Sequence, residues 1–163
     1  MRSGITSRGR RVLGEEVGIR RADARDTKRL TRLVRTSGAY EGPYAPMVAG
    51  YRVGHDYVET HRVFAAVGES SDRLLGFYAL ILDPPELDLM FVADDAQGAG
   101  IGRVLIGHLR DEAHEAGLAE VRIVSHPPAE GFYRSVGARR TGTVWAAPPA
   151  VMWDRPELML PVT

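Results

Sequence analysis

An α/β fold of mixed α+β character is what this sequence predicts, and three features point to it. Short apolar runs of strand character alternate with helical runs along the chain. A glycine-rich hexapeptide, Gln97-Gly98-Ala99-Gly100-Ile101-Gly102, joins one such strand to one such helix. A length of 163 residues with 44% hydrophobic side chains suits one domain with a real core.

Residues 1–16 mix Arg, Gly and Ser without periodicity and are expected to form a flexible basic extension. The folded domain is expected to run from residue 17 to 163. Val17 to Ala22 alternates like a half-buried strand. Asp23 or Asp26 can cap a helix that reaches about Thr36, with Leu30, Leu33 and Val34 as its inward stripe. Residues 39–50 form a loop of bulky groups, and a short helical piece follows through His61. Arg62–Val67 and Leu74–Leu82 read as a hairpin. Glu86–Val92 is the next strand, and Gly102–Ala116 the helix that Gly117 ends. Val121–Ser125 is a short strand. Pro127 and Pro128 open a further helix that stops at Gly137. Arg139–Trp145 and Leu158–Val162 are the last strands. The order is β-α-(α)-β-β-β-α-β-α-β-β.

A glycine-rich turn between a strand and a helix holds phosphate well. Glycine lets backbone N–H groups approach an anion without a Cβ in the way. The helix start adds unpaired donors and the positive end of the dipole. The spacing here is not that of a dinucleotide fold, because Arg103 stands three residues after Gly100. It is not a nucleotide P-loop either, since the one lysine, Lys28, lies far away. Gln/Arg-x-x-Gly-x-Gly/Ala is the pattern that fits. A second motif follows at a distance of one helix and one strand: Ala129-Glu130-Gly131-Phe132-Tyr133-Arg134-Ser135-Val136-Gly137-Ala138.

Together the two motifs resemble those of the GNAT superfamily, the acyl-coenzyme-A-dependent N-acetyltransferases. The second differs at its end, where Ala138 replaces the usual Phe. The resemblance spans roughly residues 17–163. It implies the GNAT fold, a single mixed and centrally splayed sheet with helices on both faces. It also implies acetyl-CoA as co-substrate. The pyrophosphate would sit on N–H groups of Gly98, Ala99, Gly100, Ile101, Gly102 and Arg103, with Gln97 opening the motif. Backbone of Phe91 and Val92 would bind the pantetheine arm like an added strand. Ala129, Phe132 and Tyr133 would border the coenzyme, and Tyr133 matches the tyrosine that serves as general acid. His126 stands where the family often has asparagine; it is expected to bond the pantetheine or to shuttle a proton.

Acetyl transfer to an amine needs a proton removed from the amine and one delivered to the leaving thiolate. Strand alternation places Glu86, Asp88, Met90 and Val92 on one face, with Leu87, Leu89 and Phe91 on the other. Glu86 and Asp88 are therefore the candidate bases. Glu86, with Tyr40 and Tyr44, is also expected at the acceptor. Glu41, Tyr51, His55, Trp145 and Trp153 extend that set of aromatic and polar groups, which suits a cationic amine. Residues 129–161 look like those of bacterial members with unassigned small-molecule substrates. The expected acceptor is a small-molecule primary amine, with a protein N-terminus or lysine as the alternative. A non-catalytic acyl-CoA sensor is the rival from another class.

Composition narrows the rest. Basic and acidic side chains balance at 21 each, which argues against nucleic acid as main partner. Without cysteine there is no disulfide, no thiolate metal site and no acyl-cysteine route. The histidines show no metal spacing, so no metal is expected. No apolar run reaches membrane-spanning length, and Arg2, Arg8, Arg10 and Arg11 are not followed by the apolar core of a secretory signal. No membrane association and a cytoplasmic location are expected. An exposed late strand would permit a homodimer.

Overall fold

The computed structural model describes residues 6–40 and 42–163. Eight strands form one sheet in the order β1-β2-β3-β4-β5-β6-β8-β7. The strands are β1 (Thr6–Val12), β2 (Glu15–Arg21), β3 (Arg62–Gly68), β4 (Leu74–Leu82), β5 (Pro85–Val92), β6 (Glu120–Val124), β7 (Arg139–Val144) and β8 (Arg155–Pro161). Neighbours pair antiparallel except β5 and β6, which run parallel. The helices are α1 (Thr27–Arg35), α2 (His55–Thr60), α3 (Ile101–Glu115) and α4 (Glu130–Ser135).

Each face of the sheet buries its own apolar cluster. Ile101, Leu105, Ile106, Leu109 and Ala113 of α3, with Tyr133 of α4, pack on Leu75, Tyr78 and Leu80 of β4. Leu30 and Val34 of α1, with Val58 of α2, pack on Val63, Phe77, Ala79 and Phe91. From Phe77 to Leu80 the two clusters use alternate residues of β4, as the pleat requires, and a bulge at Leu75 turns that side chain to the α3 face. α3 comes close to the sheet over Gly76, where a Cβ would lie 2.8 Å from the Phe91 carbonyl oxygen and 3.2 Å from Ile101 and Leu105 side-chain carbons. Helices thus cover both faces of one mixed sheet, as expected.

One expectation is corrected at the N-terminal end. Residues 6–12 are not a flexible extension but the edge strand β1, paired antiparallel with β2. Backbone pairing holds such a strand, so its arginines need not show any apolar rhythm. Residues 1–5 lie outside the described residues.

A short turn precedes α1. The Asp23 carboxylate accepts from the Arg25 N–H (2.9 Å), and Asp26 accepts from the Asp23 N–H (2.9 Å), a reciprocal cap. Asp26 is buried and also takes Arg20 and Arg29. At the other end of the sheet β7 is the edge, with Arg139 and Arg140 exposed on it. Charges of this kind discourage edge pairing. Among the described residues no helix is long and apolar enough to cross a membrane.

Candidate active site

A cleft opens where β5 and β6 part. Their pairing is limited to Glu86↔Arg122 and Leu87↔Ile123. β6 ends one residue later at Val124, whereas β5 runs on to Val92. The opening is about 650 Å³ and is walled by Asp88–Val92, the glycine turn, α4 and, from the loop between α1 and α2, Tyr40, Met47, Val48 and Tyr51.

At one end lies the turn into α3. Asp94–Ala96 forms a single 3-10 turn, Gln97 is extended, and Gly98 and Gly100 take φ of +79° and +87°. These left-handed conformations strongly favour glycine. Val104 makes the first intrahelical bond, to the Gly100 carbonyl at 3.1 Å. The N–H groups of Ile101, Gly102 and Arg103 therefore precede the helical ladder and are donors for an anion. Ala99 departs from expectation: its N–H turns back to Ala96 O at 3.3 Å, and it does not line the cleft. Gly102 is small for a further reason, because a Cβ there would meet the Phe132 ring at 2.9 Å. The turn and the helix start thus fit a pyrophosphate, on the evidence of their own geometry.

Along β5 the pleat does not run as alternation predicts. Ala79 pairs with Leu89 but Leu80 pairs with Leu87, so Asp88 is an extra residue in the strand. The bulge reverses the facing of what precedes it. Leu87 joins Met90 and Val92 on the α3 face, and Leu89 joins Phe91 on the α1 face. Glu86 follows the second set, opposite Ile81. The expectation that Glu86 and Asp88 share a face with Met90 and Val92 is corrected accordingly.

Backbone polarity along β5 is corrected in a similar way. Ala93 N–H donates to Leu75 O of β4 at 2.8 Å. By the alternation of an antiparallel ladder, Phe91 points the same way, and Val92 and Met90 face the opened edge. Val92 O accepts from Gln97 Nε2 at 3.0 Å, so Gln97 ties the turn to the strand. Phe91 contributes its ring, stacked between Phe77 (6.0 Å) and Tyr40 (5.6 Å). Met90 was missed because an apolar strand residue gives no hint of what its amide faces.

The two carboxylates part company. Asp88 lines the cleft, is exposed, and accepts a hydrogen bond from the Tyr57 hydroxyl of α2. Burial and the Asp88 charge push that phenol well above the usual tyrosine range, so it stays a donor. Glu86 is drawn instead to Arg122 at 3.4 Å, and does not line the cleft. Arg122 is shared with Glu157 at 2.6 Å.

Tyr133 of α4 lines the cleft beside Phe132 and Ala129. It is buried, and burial with a smaller effect of Tyr40 raises its hydroxyl above the ordinary range. The phenol is therefore protonated at neutral pH and able to donate.

A chain of rings stands beside the cleft; Tyr40 and His126 line it, whereas Tyr44 and Trp153, both expected at the acceptor, do not. Tyr40 stacks on His126 (3.9 Å), Tyr44 meets His126 edge-on (4.5 Å), and Tyr44 meets Trp153 edge-on (4.7 Å). Two polar ties fix these rings: Gly38 N–H donates to Asp94 (3.0 Å), and His126 Nε2 lies 2.7 Å from Ala39 O. A carbonyl only accepts, so Nε2 carries the proton and Nδ1 the lone pair. Burial lowers the His126 pKa, against the pull of Ala39, which favours this neutral form. Burial also pushes the Tyr40 hydroxyl up to about 12. Met47, Tyr51 and Arg155 also line the cleft. His55 and Trp145 are exposed and do not line the cleft, and Glu41 lies outside the described residues. Tyr57 escaped the sequence reading, and Arg155 entered it only as part of the segment 129–161, with no place at the site. Neither carries a motif, and only the folding of α2 and β8 brings them to β5 and His126.

Comparison with known proteins agrees with this architecture. Residues 52–146, more than half of the chain, match the family described as an acetyltransferase (GNAT) domain. The chain belongs to that family of acyltransferases, whose co-substrate is acetyl-CoA. Over 80 residues it is 35% identical to the peptidyl-lysine N-acetyltransferase YjaB of Escherichia coli K12, covering 49% of this chain and 51% of YjaB. The chain thus spans about half the length of that curated relative. Among solved structures, a GCN5-related N-acetyltransferase from Rhodopseudomonas palustris superposes with a TM-score of 0.76 at 14% identity, over 99% of this chain and 98% of the other. YncA of Salmonella typhimurium, solved with its cofactor acetyl-CoA, has a TM-score of 0.67 at 18% identity, over 91% and 95%. At such identities these structures speak for the fold alone.

Proposed function

We propose that the protein transfers an acetyl group from acetyl-CoA to a small-molecule primary amine by direct attack in a ternary complex. The observation that carries this reading is one continuous cleft bordered by Gly98, Gly100 and Gly102, the open edge of β5, Tyr133 and Asp88. Asp88 lies four residues before Val92, about 13 Å along an extended strand. That length separates a phosphate end from an acceptor end.

Bound acetyl-CoA supplies an activated thioester. The N–H groups at the start of α3 hold its pyrophosphate, and the opened edge of β5 at Met90 and the Val92 N–H takes its arm. Asp88, directly or through one water, accepts a proton from the acceptor ammonium so that nitrogen gains its lone pair. The amine then bonds to the acetyl carbon as the carbon–sulfur bond breaks. Tyr133 donates its hydroxyl proton to the departing sulfur, and the acylated nitrogen releases its surplus proton to water, from which the tyrosinate is reprotonated. Tyr57 holds the Asp88 carboxylate in place. Glu86 serves the strand end through Arg122 rather than the reaction.

The chain of rings beside the cleft favours a compact amine. A lysine side chain is the second reading, because the relative YjaB is named a peptidyl-lysine N-acetyltransferase. A chain without cysteine needs no oxidising compartment, and the cytoplasm is the location this reading takes. The test is free-thiol release from acetyl-CoA in the presence of an amine panel and a panel of lysine peptides, with mass detection of product. Acetylated small amines support the reading. Product from peptides alone moves it to the lysine side chain. Coenzyme binding without any transfer makes the protein an acyl-CoA sensor.

A further inference from the structure

Arg155 opens β8 and lines the cleft. Its place is fixed by the backbone, since Ser125 N–H donates to Pro156 O at 2.9 Å and thereby sets the start of β8 against the end of β6. His126, the hub of the ring chain, is the next residue along. Among the described residues no carboxylate pairs with Arg155, in contrast to Arg20, Arg62, Arg122 and Arg140, each of which has an acidic partner. Its Nε–H is buried with no acceptor, and two residues earlier the Trp153 Nε1–H is buried with none either. Guanidinium is always charged and offers five donors in a fixed fork. A buried guanidinium donor left without an acceptor is costly unless a ligand supplies one. Its field also reaches the Tyr40 phenol, where it opposes the upward push of burial. Asp88, at the same cleft, provides the opposite charge.

We propose that the acceptor carries an anionic group, a carboxylate or a phosphate, as well as its amine, and that Arg155 binds that group. The substrate class is then an amino acid or an aminoalkyl phosphate rather than a simple amine. Arg155 fixes the anion, and Asp88 receives the ammonium. This rests on the acetyltransferase reading above, and on that reading's acceptor end in particular.

The experiment sets matched pairs against each other with acetyl-CoA as donor. The protein-forming α-amino acids are compared with their decarboxylated amines, and phosphoethanolamine with ethanolamine. The wild type should favour the anionic member of at least one pair by roughly tenfold to a hundredfold in kcat/KM, the range a charge-assisted bond supports. Which pair responds separates carboxylate from phosphate. Arg155→Gln should bring that ratio close to one, chiefly through KM of the anionic member, and Arg155→Lys should restore part of it. Equal or reversed preference in every pair overturns the inference while leaving the acetyltransferase reading intact. Transfer to no amine of any kind overturns that reading, and the inference with it. Calorimetry with acetyl-CoA closes the remaining route. If Arg155→Gln weakens coenzyme binding as much as it weakens the anionic acceptor, Arg155 serves the coenzyme and the inference is wrong.

Discussion

At the scale of single residues, the proposed mechanism divides the proton work between Tyr133 and Asp88. Tyr133 is kept protonated by burial, which suits a donor that must not ionise before the sulfur leaves. Tyr133→Phe should lower kcat about 10²–10⁴-fold, the usual cost of losing a general acid, while calorimetric affinity for acetyl-CoA stays near wild type. Unchanged turnover would leave Tyr133 a packing residue of the α3 face. Asp88→Asn should depress the rate most at neutral pH and partly recover at high pH, where the acceptor is already a free amine. Glu86→Gln is the comparison on the same strand and should lack that pH signature, because Glu86 faces Arg122. If Glu86→Gln shows the recovery and Asp88→Asn does not, the base is Glu86. The sequence named both carboxylates but could not separate them. The bulge that turns Asp88 into the cleft is a property of register between β4 and β5, and nothing in the residues 86–92 alone announces it.

At the scale of elements, the α1 entrance shows how a buried charge is kept. Burial alone would raise the Asp26 carboxyl, but hydrogen bonds from Arg20, the Asp23 N–H and Arg29 outweigh it and hold the pKa down at about 2. A carboxyl whose folded pKa lies below its unfolded value contributes stability above the unfolded value, near 3.8. That contribution is lost as pH falls from there toward about 2. Asp26→Asn should therefore lower stability at pH 7, and the gap to wild type should narrow between pH 4 and pH 2 in urea unfolding series (about 3.8 and about 2 being the two ends). A gap independent of pH would mean that Asp26 acts by shape alone. Helices and inner strands were legible because their periodicity reports burial: α1, α3, β3 and β4 fall within a residue or two of expectation. β1 was not, since an edge strand can be held by its backbone while its side chains follow no pattern. β8 begins at Arg155 rather than Leu158; its early part, Arg155-Pro156-Glu157, carries two charges around a proline and so shows no strand signal in the sequence.

At the scale of the whole molecule, the site exists because the sheet fails to close. Parallel pairing between β5 and β6 stops after two residue pairs, and the glycine turn, α4 and the aromatic rings are arranged around what is left open. The turn was visible in the sequence because the left-handed backbone at Gly98 and Gly100 strongly favours glycine. The ring chain was partly visible, as Tyr40 and Tyr44, yet its assembly with His126 and Trp153 depends on contacts between distant loops. Family membership and fold follow from both motifs together with the architecture they sit in. The claim on which the rest stands is that acetyl-CoA lies in this cleft with its pyrophosphate on the start of α3.

The measurement that tests it most directly is calorimetric titration of acetyl-CoA into the wild type, Gly100→Asn and Gly100→Asp. Asparagine tolerates the left-handed backbone at this position better than other side chains and carries no charge, whereas aspartate of the same shape sets a negative group against the phosphates. The account predicts binding by the wild type, a moderate loss in Gly100→Asn, and a further loss of at least about tenfold in Gly100→Asp, since one close like charge costs more than 1.4 kcal/mol in a partly screened site. Wild-type affinity in Gly100→Asp would contradict it.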